Sequence, residues 1–339
     1  MQIISLPKSV ALELTYNCNH RCKFCSCPWY APNSTYKKGK ELTVTEWEMA
    51  IDKLYNKGVE SFSISGGEVL LKDGFEEILK HIREEGNQRG LNNPIVLISN
   101  GLVMQECYMS VFKELNVHLS LSLPGYETFC YHTGVDNAKG VLHWFEVAKN
   151  YEIKATLNVT VTRKNYDELF ETISLGLIHG AHDVLLNRFL PGGRGLAYRD
   201  ELCLTREQVN GMLDTAEEVL TYANRYGNVG TEIPICTIND VGKYNRIHVG
   251  YQCAAAKGFF VVDPSGKIRT CNHSPRVVGH IFETPMITDA DYWNMFATSD
   301  YMPESCAGCC LSKMCDCGCR EVANILYGSP KAKDISAMG

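Results

Sequence analysis

Apolar residues along this chain come in short runs that change period repeatedly. The run at 10–14 predicts a first buried strand, and comparable runs at 59–65, 94–99, 117–123, 153–161 and 183–189 predict five more. Between them the apolar positions fall at helical spacing: Met49, Ile51, Leu54 and Tyr55 lead up to Gly58, and further helices are expected over 75–85, 105–115, 138–150 and 166–179. Thr45-Glu46-Trp47-Glu48 fits a capping box at the start of the first helix. Thr205-Arg206-Glu207-Gln208 fits a second one, opening a long helix to about residue 226.

Six strand–helix alternations imply a parallel sheet of the α/β class, arranged as an incomplete barrel. Ligands in such sheets bind at the carboxyl ends of the strands. Gly66-Gly67-Glu68, Asn100-Gly101, Pro124-Gly125 and Pro191-Gly192-Gly193 all follow predicted strand ends, so they are expected to converge on one face. Beyond residue 235 the texture changes to short strands and turns, with a hairpin expected around Pro264-Ser265-Gly266. The expected division is a barrel over 1–204, a linking helix over 205–235 and a small C-terminal domain over 236–339.

Composition sharpens this picture mainly through cysteine. The chain of 339 residues holds 16 cysteines, of which nine fall between Cys236 and Cys319, where long apolar runs are missing. The N-terminus has no secretory h-region, and no apolar run is long enough to span a bilayer, so a cytoplasmic protein without membrane attachment is expected. In a reducing compartment dense cysteines indicate metal binding before disulfides. A net charge of −6 gives no basic field for a phosphate backbone, which argues against nucleic acid as the main partner.

Directly after the first strand, Cys18, Cys22 and Cys25 are spaced C-x3-C-x2-C. Three thiolates are one short of closing an ordinary iron–sulfur or zinc site, so a metal cluster here keeps one position open. A zinc knuckle or core thiols are the alternative reading. With Phe24 before the third cysteine and Gly66-Gly67-Glu68 at the end of the next strand, the motif resembles that of the radical S-adenosylmethionine (radical SAM) enzymes. That resemblance implies a partial (β/α)6 TIM-like barrel whose Cys18, Cys22 and Cys25 hold a [4Fe-4S] cluster. The fourth iron would be chelated by the amino and carboxylate groups of S-adenosylmethionine, with Gly66, Gly67 and Glu68 holding the methionine ammonium. Val69 stands where relatives often have proline, and Pro124 departs from their usual S-x-D-G.

By the same resemblance Ser99, Asn100 and Ser122 fall where contacts to the ribose and methionine carboxylate belong; hydroxyls that merely satisfy strand ends are an equal reading. Asn158 and Thr160 are inward candidates on the fifth strand. Arg188, with Arg194, either clamps a carboxylate or phosphate at the barrel mouth or salt-bridges its rim.

The C-terminal region resembles the SPASM extension of this family. Cys253, Gly266 and Cys271 make C-x12-G-x4-C, and Cys306, Cys309, Cys315 and Cys319 make C-x2-C-x5-C-x3-C. The resemblance implies one or two auxiliary iron–sulfur clusters: Cys306, Cys309 and Cys315 on an outer one, and Cys253, Cys271 and Cys319 on an inner one. A last cysteine expected after Cys319 is absent, which leaves Cys310, Asp316 or Cys317 as substitutes, and Cys236 as a candidate to complete the inner site. Cys27, Cys107, Cys130 and Cys203 read as plain thiols.

The implied activity is generation of a 5′-deoxyadenosyl radical that abstracts hydrogen from a peptide or protein, followed by oxidation to a cross-link or dehydrogenated product. Oxidation or decarboxylation of a small molecule such as a tetrapyrrole is the alternative, and a non-catalytic electron carrier a third. A reductant such as flavodoxin or ferredoxin is implied. With little chain before Cys18, peptide recognition is expected at the barrel rim or on a separate protein.

Overall fold

The computed structural model describes residues 5–337. All six expected strands form, as β1 (Ser9–Glu13), β2 (Ser61–Ser65), β3 (Ile95–Ser99), β4 (Val117–Ser122), β5 (Ala155–Val161) and β6 (Asp183–Arg188). The helices that return the chain are α1 (Val44–Asn56), α2 (Phe75–Gln88), α3 (Cys107–Glu114), the short α4 (Phe129–Thr133), α5 (Ala138–Asn150) and α6 (Leu169–Ile178). Each neighbouring pair from β1 to β6 is parallel. Along β5 buried and half-buried residues alternate, so Ala155, Leu157, Val159 and Val161 pack outward under the helices while Thr156, Asn158 and Thr160 face the lumen.

The first capping box is not the expected one. Thr43 caps α1, its hydroxyl accepting from Glu46 N (3.2 Å) while the Glu46 carboxylate accepts from Thr43 N (2.8 Å). The second, Thr205 with Gln208, opens α8 (Arg206–Ala223) as expected, after the four-residue α7 (Arg199–Leu202).

The sheet runs on past both ends of the expected barrel. Beyond α8, β7 (Gly227–Val229) pairs parallel with β6, and β8 (Ile247–Val249) with β7. At the opposite edge β9 (Phe259–Val262) lies parallel to β1, and β10 (Lys267–Arg269) and β11 (Gly279–His280) follow antiparallel. The full order is β11-β10-β9-β1-β2-β3-β4-β5-β6-β7-β8. The last helices are α9 (Ala290–Ala297) and α10 (Arg320–Tyr327). This topology matters for the site, because β1 leads into the first cysteine loop while β9 and β10 lie between Cys253 and Cys271. A buried ion pair of Glu13 on β1 with Arg269 on β10 fastens the two. No helix among the described residues is long and apolar enough to cross a membrane.

Candidate active site

The cysteine loop is held from three sides by backbone contacts. Where β1 runs out, Gly67 N donates to Thr15 O (2.7 Å) and Glu68 N to Asn17 O (2.7 Å). A Cβ on Gly67 would lie 2.1 Å from Asn17 O, so no other residue permits this approach. From the α4 side, Arg21 N donates to Thr133 O (2.9 Å) and Lys23 N to His132 O (2.8 Å). From the end of β6, Gly195 N donates to Cys25 O (3.1 Å) and Arg194 Nη1 to Cys22 O (3.2 Å). Gly193 takes a left-handed φ of 48°, and a Cβ there would lie 2.4 Å from Cys27 O. The Pro191–Gly195 turn thus serves as a cradle for the cysteine loop.

Cys18, Cys22 and Cys25 are free, half-buried thiols that line a cavity of about 660 Å³ at the strand ends. Burial pushes the Cys18 and Cys22 thiols up, so a bound metal is what would ionise them. His20, also on the cavity wall, is buried with its Nε2 unpartnered, and burial lowers it to about 4. Three soft donors and an orphaned polar atom around one cavity fit an iron–sulfur cluster with an open corner.

The other expected residues converge on the same cavity, although several have structural tasks first. Glu68 accepts from Ser99 Oγ (2.7 Å), Asn100 N (2.8 Å) and Leu70 N (3.3 Å). Its carboxylate has about four acceptor positions, so one is left for a ligand. The Ser99 hydroxyl also accepts from Gly101 N (3.0 Å), and Asn100 Nδ2 donates to Asn19 Oδ1 (2.8 Å), tying the end of β3 to the cysteine loop. Ser122 lines the cavity with no side-chain partner among the described residues. Asn158 lines it as well, accepting from Asn187 Nδ2 (2.9 Å).

Arg188 does not act as an anion clamp. Its guanidinium is buried and forked onto Asp334 (2.9 Å to each oxygen), with Nη2 also on Glu232 O (2.8 Å). Of the two readings open in the sequence, salt-bridging holds. Arg194 is likewise occupied, by Cys22 O and by the Tyr30 ring at 4.6 Å.

The C-terminal thiols sort into two groups. Cys253, Cys271 and Cys319 are buried and line the same cavity as the first loop, facing it across the lumen mouth. Cys315 and Cys317 lie together, with Cys317 N 3.3 Å from Cys315 Sγ and the Cys317 thiol donating to Cys315 O (3.8 Å), and the Cys306 and Cys236 thiols stand near this pair. Cys236 is exposed and does not line the cavity of the inner triad for which it was a candidate. Of the three candidates to replace the absent last cysteine, Cys317 is a buried thiol next to Cys315. Cys309 and Cys310 are exposed, with Cys309 N on Cys306 O (3.1 Å). Asp316 has one carboxylate oxygen taken by Lys257, by Tyr301 Oη (3.0 Å) and by Cys253 N (2.9 Å), while its other oxygen has no partner among the described residues. Two groups of free thiols, the inner one buried and the outer one running from buried Cys315 and Cys317 to exposed Cys309, fit the auxiliary clusters by donor chemistry.

Sequence reasoning missed Asp334 and Glu232. Neither belongs to a motif, and only the folded chain brings the tail to β6. Nor did it foresee that the Pro191–Gly195 turn cradles the cysteine loop.

An α/β partial barrel with an open thiol triad at its strand ends, facing a second thiol set across one cavity, defines an iron–sulfur enzyme class. The family model for the radical SAM superfamily matches residues 12–176, and the chain carries a radical SAM domain. Such a domain works with a [4Fe-4S] cluster and S-adenosylmethionine. Along nearly its whole length the chain is similar to the PqqA peptide cyclase of Granulibacter bethesdensis, at 26% identity over 354 residues, covering 98% of this chain and 88% of the relative. Among solved structures it resembles native anSMEcpe with bound AdoMet, with a TM-score of 0.75, 18% identity and coverage of 97% and 93% of the two chains. It also resembles Streptococcus suis SuiB bound to precursor peptide SuiA, with a TM-score of 0.73, 16% identity and coverage of 99% and 76%.

Proposed function

We propose that this chain is a radical SAM enzyme that oxidatively modifies a peptide, forming a cross-link or a dehydrogenated residue in the maturation of a peptide natural product or cofactor. The observation that carries it is that Cys18, Cys22 and Cys25 and the inner triad Cys253, Cys271 and Cys319 open onto one cavity. The cluster that Cys18, Cys22 and Cys25 would hold, with S-adenosylmethionine, would supply radical abstraction of hydrogen, and an auxiliary cluster on Cys253, Cys271 and Cys319 would supply an electron acceptor. At about 660 Å³ the cavity lies within the range of small-ligand sites, about 300–1,000 Å³. It has room for the cofactor and a substrate side chain reaching in.

The chain's own residues position and exclude. Cys18, Cys22 and Cys25 hold the first cluster on a loop that Gly67 and Gly193 lock in place. Gly66, Glu68, Ser99 and Asn100 shape the methionine end, and Ser122 and Asn158 offer polar edges toward the ribose. Cys253, Cys271 and Cys319 hold the inner auxiliary cluster, while Cys306, Cys309 and Cys315 hold the outer one with Cys317 as their fourth ligand. The buried lumen of β1 to β6 keeps water from the reacting carbon.

The peptide reading is supported by the relatives named PqqA peptide cyclase, which match 98% of this chain. The tetrapyrrole alternative needed Arg188 and Arg194 to clamp propionates, and both are already occupied. A carrier without catalysis is set aside by the radical SAM domain. A flavodoxin or ferredoxin supplies the electron, a separate protein or the barrel rim presents the peptide, and the enzyme works in the cytoplasm. The test is incubation of the reconstituted, reduced protein and S-adenosylmethionine with short peptides encoded beside its gene. A peptide product lacking two hydrogens is expected. Deoxyadenosine formation with every such peptide left unaltered would overturn the substrate assignment.

A further inference from the structure

The inner triad offers three thiols, and among the described residues the other cysteines lining its cavity, Cys18, Cys22, Cys25 and Cys27, belong to the first loop, while Cys236 and Cys317 do not line it. We infer that Glu232 is the fourth protein ligand of the inner cluster, binding one iron through its carboxylate. Glu232 lines the cavity with Cys253, Cys271 and Cys319. Its backbone is pinned on both sides: Glu232 O accepts from Arg188 Nη2 (2.8 Å), and Ile233 N donates to Gly250 O (3.1 Å). The two other carboxylates on the cavity wall are spoken for, Glu68 by Ser99 and Asn100, and Glu321 by Thr270 Oγ1 (2.7 Å) and Tyr292 Oη (2.9 Å). The Glu232 carboxylate has no hydrogen bond or ion pair among the described residues. The nearest guanidinium, that of Arg188, is committed to Asp334. The Arg188 guanidinium that holds Glu232 O also grips Asp334, which in turn accepts from Cys319 N (2.8 Å), so Glu232 is tied to the Cys319 backbone through two side chains.

An ionised carboxylate donates an oxygen lone pair to iron without any proton leaving, and it is a harder, weaker donor than thiolate. An iron held this way is the most exchangeable of its cluster, and the cluster has a higher reduction potential than one with four thiolates. That suits an acceptor facing the substrate.

The inference rests on the reading of Cys253, Cys271 and Cys319 as inner-cluster ligands, and a Cys271→Ala control separates the two. If C271A keeps the full iron content and the same electron paramagnetic resonance spectrum, the cluster reading fails. With that control lost as expected, the full chain reconstituted with 57Fe is compared as wild type, E232C and E232Q by Mössbauer spectroscopy and by dithionite titration followed by paramagnetic resonance. E232C is expected to keep its iron and shift the inner cluster to lower potential. E232Q is expected to lose one distinctive iron site and to become responsive to added thiol. Unchanged spectra and midpoints in both variants overturn the assignment, even if turnover falls, because Glu232 would then act on protons instead of on iron. If E232Q does not retain clusters, E232C decides by the same criterion.

Discussion

The two cysteine regions of this molecule solve one problem in opposite ways. The first loop packs three thiols into eight residues and is gripped by backbone hydrogen bonds from Gly67, Thr133 and Gly195. The second gathers thiols from Cys236 to Cys319 and is held by ion pairs, buried for Arg188 on Asp334 and Arg269 on Glu13 and half-buried for Lys257 on Asp316. A loop seated on strand ends is fixed by the sheet. A region assembled from distant segments needs directional tethers, and these are costly to break because each leaves a charge buried.

The comparison is broken most severely by removing a ligand from each side. Cys22→Ala is expected to abolish formation of 5′-deoxyadenosine. Cys271→Ala is expected to leave that cleavage in place and eliminate the peptide product, with both read by chromatography and mass spectrometry.

Next come the tethers. Asp334→Ala strands the Arg188 guanidinium and is expected to cost about 3–5 kcal/mol in urea unfolding. Asp334 also accepts from Cys319 N (2.8 Å), so the variant is expected to lose inner-cluster iron while keeping the first cluster. An unchanged auxiliary iron content would remove the distinction between the two regions.

A backbone change on the first loop has a smaller effect. Gly193→Ala puts a Cβ against Cys27 O at a left-handed φ, with an expected cost of about 1–3 kcal/mol by thermal melt and weakened S-adenosylmethionine cleavage.

The smallest effect lies away from both regions. Glu217 on α8 accepts from Asn245 N (2.9 Å), Arg246 N (2.8 Å) and Ile247 N (3.0 Å), fastening the start of β8. Partial burial raises its pKa, but the three amides outweigh that and hold it below the ordinary carboxylate value. A depressed folded-state pKa gives stability that is present above the unfolded value and lost as pH falls through the folded one. Glu217→Gln is therefore expected to flatten the acid side of the stability profile, measured by urea unfolding across pH 3 to 6 (about the carboxylate range).

What the chain made legible follows the same division. The six barrel strands and the first ligand loop show in local patterns, because period and spacing act over a few residues. The partition of the second cysteine set does not: Cys317 stands two residues from Cys315 and Cys319 yet falls in the outer group with Cys315. The role of Arg188 was equally hidden, since its partner Asp334 lies 146 positions further on. The extension of the sheet by β7 and β8 was missed because three-residue strands carry too little pattern to register.

The central claim is that the open corner of Cys18, Cys22 and Cys25 seats S-adenosylmethionine. It is tested most directly by reconstituting the full chain anaerobically, reducing it with dithionite and measuring 5′-deoxyadenosine. The account predicts cleavage by the wild type that depends on Cys22; a fully iron-loaded wild type that forms no 5′-deoxyadenosine would contradict it.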